Sequence, residues 1–594
     1  MKKNFGLLLL PFLLCPVFAK QAPSIKPKVL VLTHITVIDA TGEAARPDMT
    51  VVINGNRITE VGESERIRVP KDAQVVVATG KFLIPGLWDM HVHPPDEPFL
   101  PLFIANGVTG IRIMWGFPKH HEWRKQIEAG RLLGPHMLIA SAIIDGPKPF
   151  WSGSIAVSSQ AEARQAVVKA KQDGADFVKV YTFLPREEYF AIADEAKKQG
   201  IPFEGHVPMA VSAEEASNAG QKSFEHLLGI LQACSTRNDE LNKAAQADLA
   251  ECLATDKRQF EGPRVHALRP EMLDTYSPDK ASALFALLKK NGTWQSPTLT
   301  ILHMFTSIND PSFTSDPRLR YVPVRERESW NPATVSEKAV SNNTAFGKKD
   351  FEMDLQVVGA MQKAGVGILA GTDTGNPYCI SGFSLHDELD LLVRAGLTPM
   401  QALQSATLNP ARFMGKEDEF GTVTRGKMAD LVLLDANPLE DIANTNKIAD
   451  VVYEGKLFPK AALDEMLSNV EALASRKPIS EILLKTIREK SVEAAVKQYH
   501  ELRTTQPATY DFSENELNGL GYRLLAMKRV PDAIEVFKLS VEAYPQSYNT
   551  YDSLAEAYMD HGDKALAIQN YQKSLQLNPE NGSAMKMLKK LSTQ

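Results

Sequence analysis

The sequence predicts an α/β protein built around a (β/α)8 barrel, with a small β-sandwich domain split across it and an all-α region at the C-terminus. Three observations carry this expectation. Between residues 86 and 415, short apolar runs alternate with helical stretches, the rhythm of strands wrapped by helices. Turn-punctuated β-rich runs stand on both sides of that stretch, at 25–85 and 416–458. From about residue 459 the chain is helical, and its end repeats with a fixed period.

A chain of 594 residues is too long for one core and implies several domains. Its net charge of −6 gives no electrostatic reason to bind nucleic acid or an anionic membrane. Lys2 and Lys3 precede an apolar stretch from Phe5 to Phe18, closed by Val17-Phe18-Ala19. That is the pattern of a signal peptide at 1–19, and the stretch is too short to favour a membrane span. Leu14 before Cys15 speaks against lipid attachment there, so the expected location is periplasmic or secreted. Without the leader, Cys234, Cys252 and Cys379 remain. An oxidising compartment would permit a Cys234–Cys252 disulfide; two unpaired thiols are the alternative.

The runs VLVLTHITVIDATG, VVINGNRITEVG and AQVVVATGKFLIPG read as strands, and FGTVTRGKMADLVLLDANP and ADVVYEGK are expected to complete their sheet from beyond the barrel. Residues 421–427 spell GxxxxGK, but Met428 stands where a phosphate loop needs Ser or Thr, which excludes nucleotide binding there. The barrel strands are expected at 87–92, 109–114, 136–142, 177–181, 202–207, 223–227, 294–299 and 365–373. The connection at 228–292 is long and carries the cysteine pair, a size that usually shapes an active-site rim. Near the end, Ala533, Phe537 and Pro545 recur as Ala567, Tyr571 and Pro579, each 34 residues on. This period resembles the tetratricopeptide repeat, expected at about 512–590. Its use is either a groove for a protein partner or self-association, or an appendage that stabilises the barrel.

The chemistry-bearing residues all fall at C-terminal ends of expected barrel strands, where barrel enzymes place their sites. His91 and His93 end the first strand two residues apart, so their imidazoles share a direction. Lys179 ends the fourth, His206 the fifth, His226 the sixth and Asp373 the eighth. One HxH pair is weak evidence; four histidines from three strands converging on one mouth point to metal. Neutral imidazoles and carboxylates suit zinc and similar ions. GxSxG and HExxH motifs are missing, which argues against serine-hydrolase and zincin chemistry. Tyr181, on the same face as Lys179, and Trp151, after the third strand, are candidate substrate contacts. His386 is a further one, with a capping or core role as its alternative, and His120 and His121 are read as solvated surface.

The segments GLWDMHVH, FVKVY, EGHVP, FEHL, AGTDTG, SATLNPAR and GKMADLVLLDANPL resemble those of the amidohydrolase superfamily over roughly 28–458. The likeness is to imidazolonepropionase-like members and to the bacterial prolidase group. It implies a TIM barrel holding two divalent ions, zinc by preference. His91, His93 and Asp373 would take one ion and His206 and His226 the other, with Lys179, carboxylated by CO2, as the bridge. A lysine ammonium would repel two cations, and FVKVY is an expensive place to bury one. Asp373 would be the catalytic acid–base in hydrolysis of an amide of a dipeptide or N-acyl amino acid. Hydrolysis of a cyclic amide or lactone at a one-metal site is the alternative, and an inert barrel with a protein-binding repeat is a third reading. TFLPREEY after Lys179 departs from the glycine-rich sequence of many prolidase-like relatives, which weakens a claim for prolyl dipeptides.

Overall fold

The computed structural model describes residues 29–255, 262–330, 344–579 and 581–592. The expected leader at 1–19 and Cys15 lie outside them.

The barrel strands are Leu87–Val92, Val108–Ile113, His136–Ile139, Val178–Val180, Phe203–Gly205, Ser223–Glu225 and Trp294–Ser296. All neighbouring pairs are parallel. The bridge Ala140–Phe177 joins the third to the fourth. The eighth position is held by an extended segment instead of a regular strand. It bridges to the seventh strand at Gln295–Ile368 and to the first at Val92–Thr374, which closes the ring. Its glycines explain the irregularity. A Cβ on Gly367 would lie 2.3 Å from the Trp294 ring, and one on Gly371 would lie 2.5 Å from Ser296 Oγ and 2.8 Å from His91 Cβ. The segment therefore lies nearer its neighbours than a strand with side chains allows.

Two expected strands are shorter than their apolar runs. The seventh stops at Ser296, because Thr298 turns left-handed (φ 50°) and the helix Leu299–Ser307 begins. The buried Glu388 carboxyl group accepts the N–H groups of Leu299 (3.0 Å) and Thr300 (2.8 Å), satisfying the helix start. The third stops at Ile139, and Ile144–Asp145 then pairs beside Val180.

The flanking sheet draws on both sides of the barrel. Strand Leu431–Leu434 pairs antiparallel with Phe82–Pro85, which pairs in turn with Leu30–Val37. Backbone bonds from Ile58 to Lys427 and from Ala429 to Asn56 join the two arms over one core that includes Leu32, Val51, Ile53, Leu83, Leu431 and Leu433. The alternate residues Ile84, Val432 and Leu434 belong to the barrel core. Period-two patterning thus buries both faces of these strands.

Beyond Pro459 the described chain is helical, apart from a short parallel pair between Lys477–Pro478 and Tyr510–Asp511. Ala533, Phe537, Ala567 and Tyr571 are buried in one core with Leu517, Leu520 and Leu524. The recurring small and aromatic residues fill the space between successive helices.

Cys234 and Cys252 are both free thiols, which corrects the expected disulfide. Each is packed among the apolar residues of the barrel core. Burial pushes the Cys234 thiol up to about 12, so it stays protonated and inert.

Candidate metal centre

The barrel mouth collects the predicted residues. His91 Nε2 and His93 Nε2 lie 3.4 Å and 3.3 Å from Asp373 Oδ1, and the donor atoms of these three groups fall within 4.8 Å of one another. His226 adjoins them: its ring centroid is 4.6 Å from that of His91, and its Nδ1 is 3.9 Å from Asp373 Oδ2. His206 follows at 5.0 Å from the His226 ring. Lys179 is 1% exposed, with its Nζ 5.8 Å from the Tyr181 ring centroid.

Local backbone aims these groups. His226 (φ 61°), Leu227 (φ 57°), Thr298 (φ 50°) and Asp373 (φ 59°) all adopt the left-handed conformation. Such residues persist only where the surroundings hold them, and they cluster at functional sites. Gly205 (φ 129°) is needed beside Lys179, since a Cβ there would meet Val180 O at 2.3 Å and Lys179 Cδ at 3.0 Å.

Hydrogen bonds set the ring orientations. His91 Nδ1 pairs with Glu225 Oε2 at 2.8 Å, His206 Nδ1 with Thr182 Oγ1 at 2.8 Å, and His226 Nδ1 with Thr298 Oγ1 at 2.7 Å. Each bond engages one ring nitrogen and turns the other away from it. Glu225 is itself held by Arg112, whose Nη2 donates to it at 3.1 Å while Nη1 donates to Glu204 at 2.8 Å and to Ser223 Oγ at 2.9 Å. Arg112 Nε also donates to Met90 O.

The donor set fits a divalent cation. His91 Nε2 and Asp373 Oδ1 are buried polar atoms without a hydrogen-bond partner. Such orphans cost free energy unless something else satisfies them, and these two face one another across the cluster. Burial holds His91 and His206 well below the ordinary imidazole range and His226 down to about 4. All three rings are neutral at pH 7 and present lone pairs. Burial also lowers Lys179 to about 8, against the opposing pull of Glu225 and Asp373.

Other predicted residues separate into contacts and scaffold. Tyr181 stacks on His206 at 4.0 Å, its hydroxyl accepts the Trp151 indole N–H at 2.8 Å, and burial keeps it a neutral phenol. Trp151 is 43% exposed beside the mouth. His386 is corrected to a core role: it is buried, with Nδ1 3.0 Å from Thr445 Oγ1 and Nε2 3.1 Å from Asn106 O. The expectation of solvated His120 and His121 is corrected too. His120 is 2% exposed, accepts the Phe117 N–H and packs against Trp123, because it caps helix Pro118–Glu128; His121 is half-buried against Arg124. Sequence reasoning missed Arg112, Glu204 and Glu225. Their signal was a charge inside each of the short apolar runs TGIRIM, PFEGHV and SFEHL.

Known proteins place this architecture. Residues 335–458 match the amidohydrolase family, and 548–581 match the tetratricopeptide repeat. An adenine deaminase of Rubrobacter xylanophilus is 22% identical over 72% of this chain and 58% of its own length. An imidazolonepropionase of the same organism is 38% identical over 17% of this chain and 25% of its own. The chain thus spans less than two thirds of these curated relatives. A bottromycin amidohydrolase structure superposes with a TM-score of 0.59 at 23% identity, covering 76% of this chain and 91% of that one. A Xaa-Pro dipeptidase with bound methionine follows at 0.51 and 22%, covering 73% and 100%. The chain is thus similar to amidohydrolases over part of its length, shares the fold of these solved structures, and matches a tetratricopeptide repeat near its C-terminus.

Proposed function

We propose that the protein is a metal-dependent hydrolase of carbon–nitrogen bonds, cleaving the amide of a dipeptide or N-acyl amino acid. The observation that carries this is the pair of buried, unpartnered donor atoms, His91 Nε2 and Asp373 Oδ1, in a mouth otherwise lined by neutral imidazoles. The adenine deaminase relative is named for the loss of an amine, which is C–N bond chemistry, in support of the same class.

His91, His93 and Asp373 would hold one ion, and His206 and His226 a second, with carboxylated Lys179 between them. Zinc suits the set of imidazoles and carboxylates. Bound there, divalent ions would polarise the scissile carbonyl and make water a nucleophile near neutral pH. The chain's own groups do the rest. Glu225 fixes the His91 ring through Nδ1. The Asp373 carboxylate takes the proton of the attacking water and returns it to the leaving amine. Tyr181 and Trp151, tied by their hydrogen bond, form one side of the substrate approach. A lysine amine near pKa 8 is neutral far more often than a surface lysine, and only the neutral amine combines with CO2.

A second reading, one ion and a cyclic amide or lactone substrate, is favoured by the tight grouping, among the described residues, of His91, His93 and Asp373 alone. Metal content per chain, measured with bicarbonate for wild type and Lys179→Ala, separates the two. Two ions falling sharply in the variant support the bridged site; one ion unaffected by the variant supports the other. A dipeptide and N-acyl amino acid screen on the loaded protein then tests the reaction. Export by the segment 1–19 belongs to the same proposal and predicts a mature N-terminus near Lys20, checked by mass spectrometry of the cell-envelope fraction.

A further inference from the structure

A cavity of about 310 Å³ opens beside His93, lined by neither Tyr181 nor Trp151. The loop after the first strand supplies Asp96 and Phe99, the segment before residue 331 supplies Glu326 and Trp330, and the loop after Asp373 supplies Ile380. One further wall residue, Asn515, comes from the C-terminal helical region. We propose that the helical region is part of the substrate pocket, with Asn515 a specificity-determining residue, and that this pocket takes an apolar group bearing a hydrogen-bond donor. The proposal rests on the hydrolase reading above and names the substrate class of that site.

The junction is built by specific bonds. Asn515 Nδ2 donates to Asp96 Oδ2 at 2.7 Å, which fixes the loop that follows His93. The adjacent Glu516, 3% exposed, accepts from Arg325 Nη1 at 3.1 Å and from the Ser480 N–H at 3.1 Å. A single turn of helix Glu514–Ala526 therefore grips two separate barrel loops. The Arg325 guanidinium lies close over that helix, where a Cβ on Gly519 would come within 3.1 Å of it. The Ser480–Glu516 bond is buried and costly to leave unmade, whereas the Asn515–Asp96 bond is solvent-exposed and the Arg325–Glu516 bond half-exposed, so these two add direction more than stability.

The lining decides the ligand chemistry. Phe99, Leu102, Val322, Trp330 and Ile380 give apolar walls, and the charged residues among the lining are Asp96 and Glu326. Asp96 is already engaged by Lys119 Nζ (3.2 Å at Oδ1) and by Asn515 at Oδ2, but no cation stands among the described lining residues themselves. A ligand carboxylate would therefore face the Glu326 and Asp96 carboxyl groups, whereas an ammonium or amide N–H finds acceptors in their remaining lone pairs. The part of the substrate seated beyond His93 is thus an apolar stem ending in a donor.

The test is calorimetric binding of 4-phenylbutylammonium and 4-phenylbutanoate to the full-length, metal-loaded protein. Wild type is expected to bind the ammonium compound saturably. Asn515→Ala and Asp96→Asn should each weaken that binding about fivefold, the scale of one hydrogen bond. The carboxylate compound, which can reach metal directly, should change less than about twofold on the same scale. Metal content and circular dichroism check that each variant is folded; if Asn515→Ala is not, Asn515→Ser gives the reading. Equal ammonium affinity in all variants, parallel loss of both ligands, or no saturable ammonium binding overturns the proposal. Failure of the hydrolase reading would show elsewhere, as loaded protein that binds 4-phenylbutylammonium yet cleaves no amide.

Discussion

Two buried polar groups share the barrel interior and could hardly differ more in how they are satisfied. Around Arg112, every neighbour is paired: the guanidinium donates to Glu204, Glu225, Ser223 and the Met90 carbonyl. At the mouth, joined to that network by the Glu225–His91 bond, His91 Nε2 and Asp373 Oδ1 lie 3.4 Å apart and neither has a hydrogen-bond partner. The closed network is scaffold, since ion pairs and hydrogen bonds there consume all donors and leave nothing for a ligand. The open cluster has the cost of an unsatisfied core and the strained backbone of His226 and Asp373, and a fold keeps such features only where a ligand relieves them. The same residue types, a few bonds apart, close a hydrogen-bond network in one layer and leave donor atoms open in the other, the layer the proposed metal would occupy.

The sharpest way to break the comparison is at the open cluster. Asp373→Asn keeps a residue that tolerates the left-handed backbone but removes the proton acceptor. It should lower kcat by about 10³-fold or more with little change in unfolding temperature of the metal-free protein. A large stability loss instead would make Asp373 scaffold. The reverse holds for Arg112→Met, which strands Glu204 and Glu225 as buried charges. Denaturant unfolding should show a loss of about 3–5 kcal/mol. Zinc titration sharpens the contrast further. At about 100 times its Kd, zinc should stabilise wild type by about 2.7 kcal/mol by mass action, and His91→Ala should lose most of that gain.

The smallest effect concerns pH. Burial raises the Glu388 carboxyl to about 8, despite the N–H groups of Leu299 and Thr300 that favour its ionised form. A carboxyl with a raised folded-state pKa gives stability that is fully present below its ordinary value of 4.5 and is lost as pH rises through about 8. Thermal melts of the metal-free protein between pH 5 and pH 9 should therefore decline, and Glu388→Gln should flatten the decline. An unchanged slope would assign the alkaline loss to another group.

Much of this molecule is legible without coordinates because its signals are periodic or local. The alternation in LVLL, with Leu431 and Leu433 in the sheet core and Val432 and Leu434 in the barrel core, is the two-residue period of any strand. The 34-residue spacing that buries Ala533 and Ala567 at equivalent places is a property of the chain alone. The metal-type residues were visible because each closes an apolar run. What the sequence hid depends on distance along the chain. His386 reads as a possible site residue until Asn106 and Thr445 are seen to hold it, and Cys234 and Cys252 bracket a loop that invites a bridge the packed helices do not make.

The sequence by itself determined the barrel, its flanking sheet, the repeats and the identity of the residues at the mouth, since hydrophobic period and strand order act through near neighbours. Only the tertiary structure decided which of those residues are satisfied and which are left open, that Arg112 on the second strand neutralises glutamates of the fifth and sixth, and that Asn515 reaches Asp96 across the interface. Hydrogen bonds and desolvation depend on what surrounds an atom in space, and residues 419 positions apart carry no local pattern that announces their meeting.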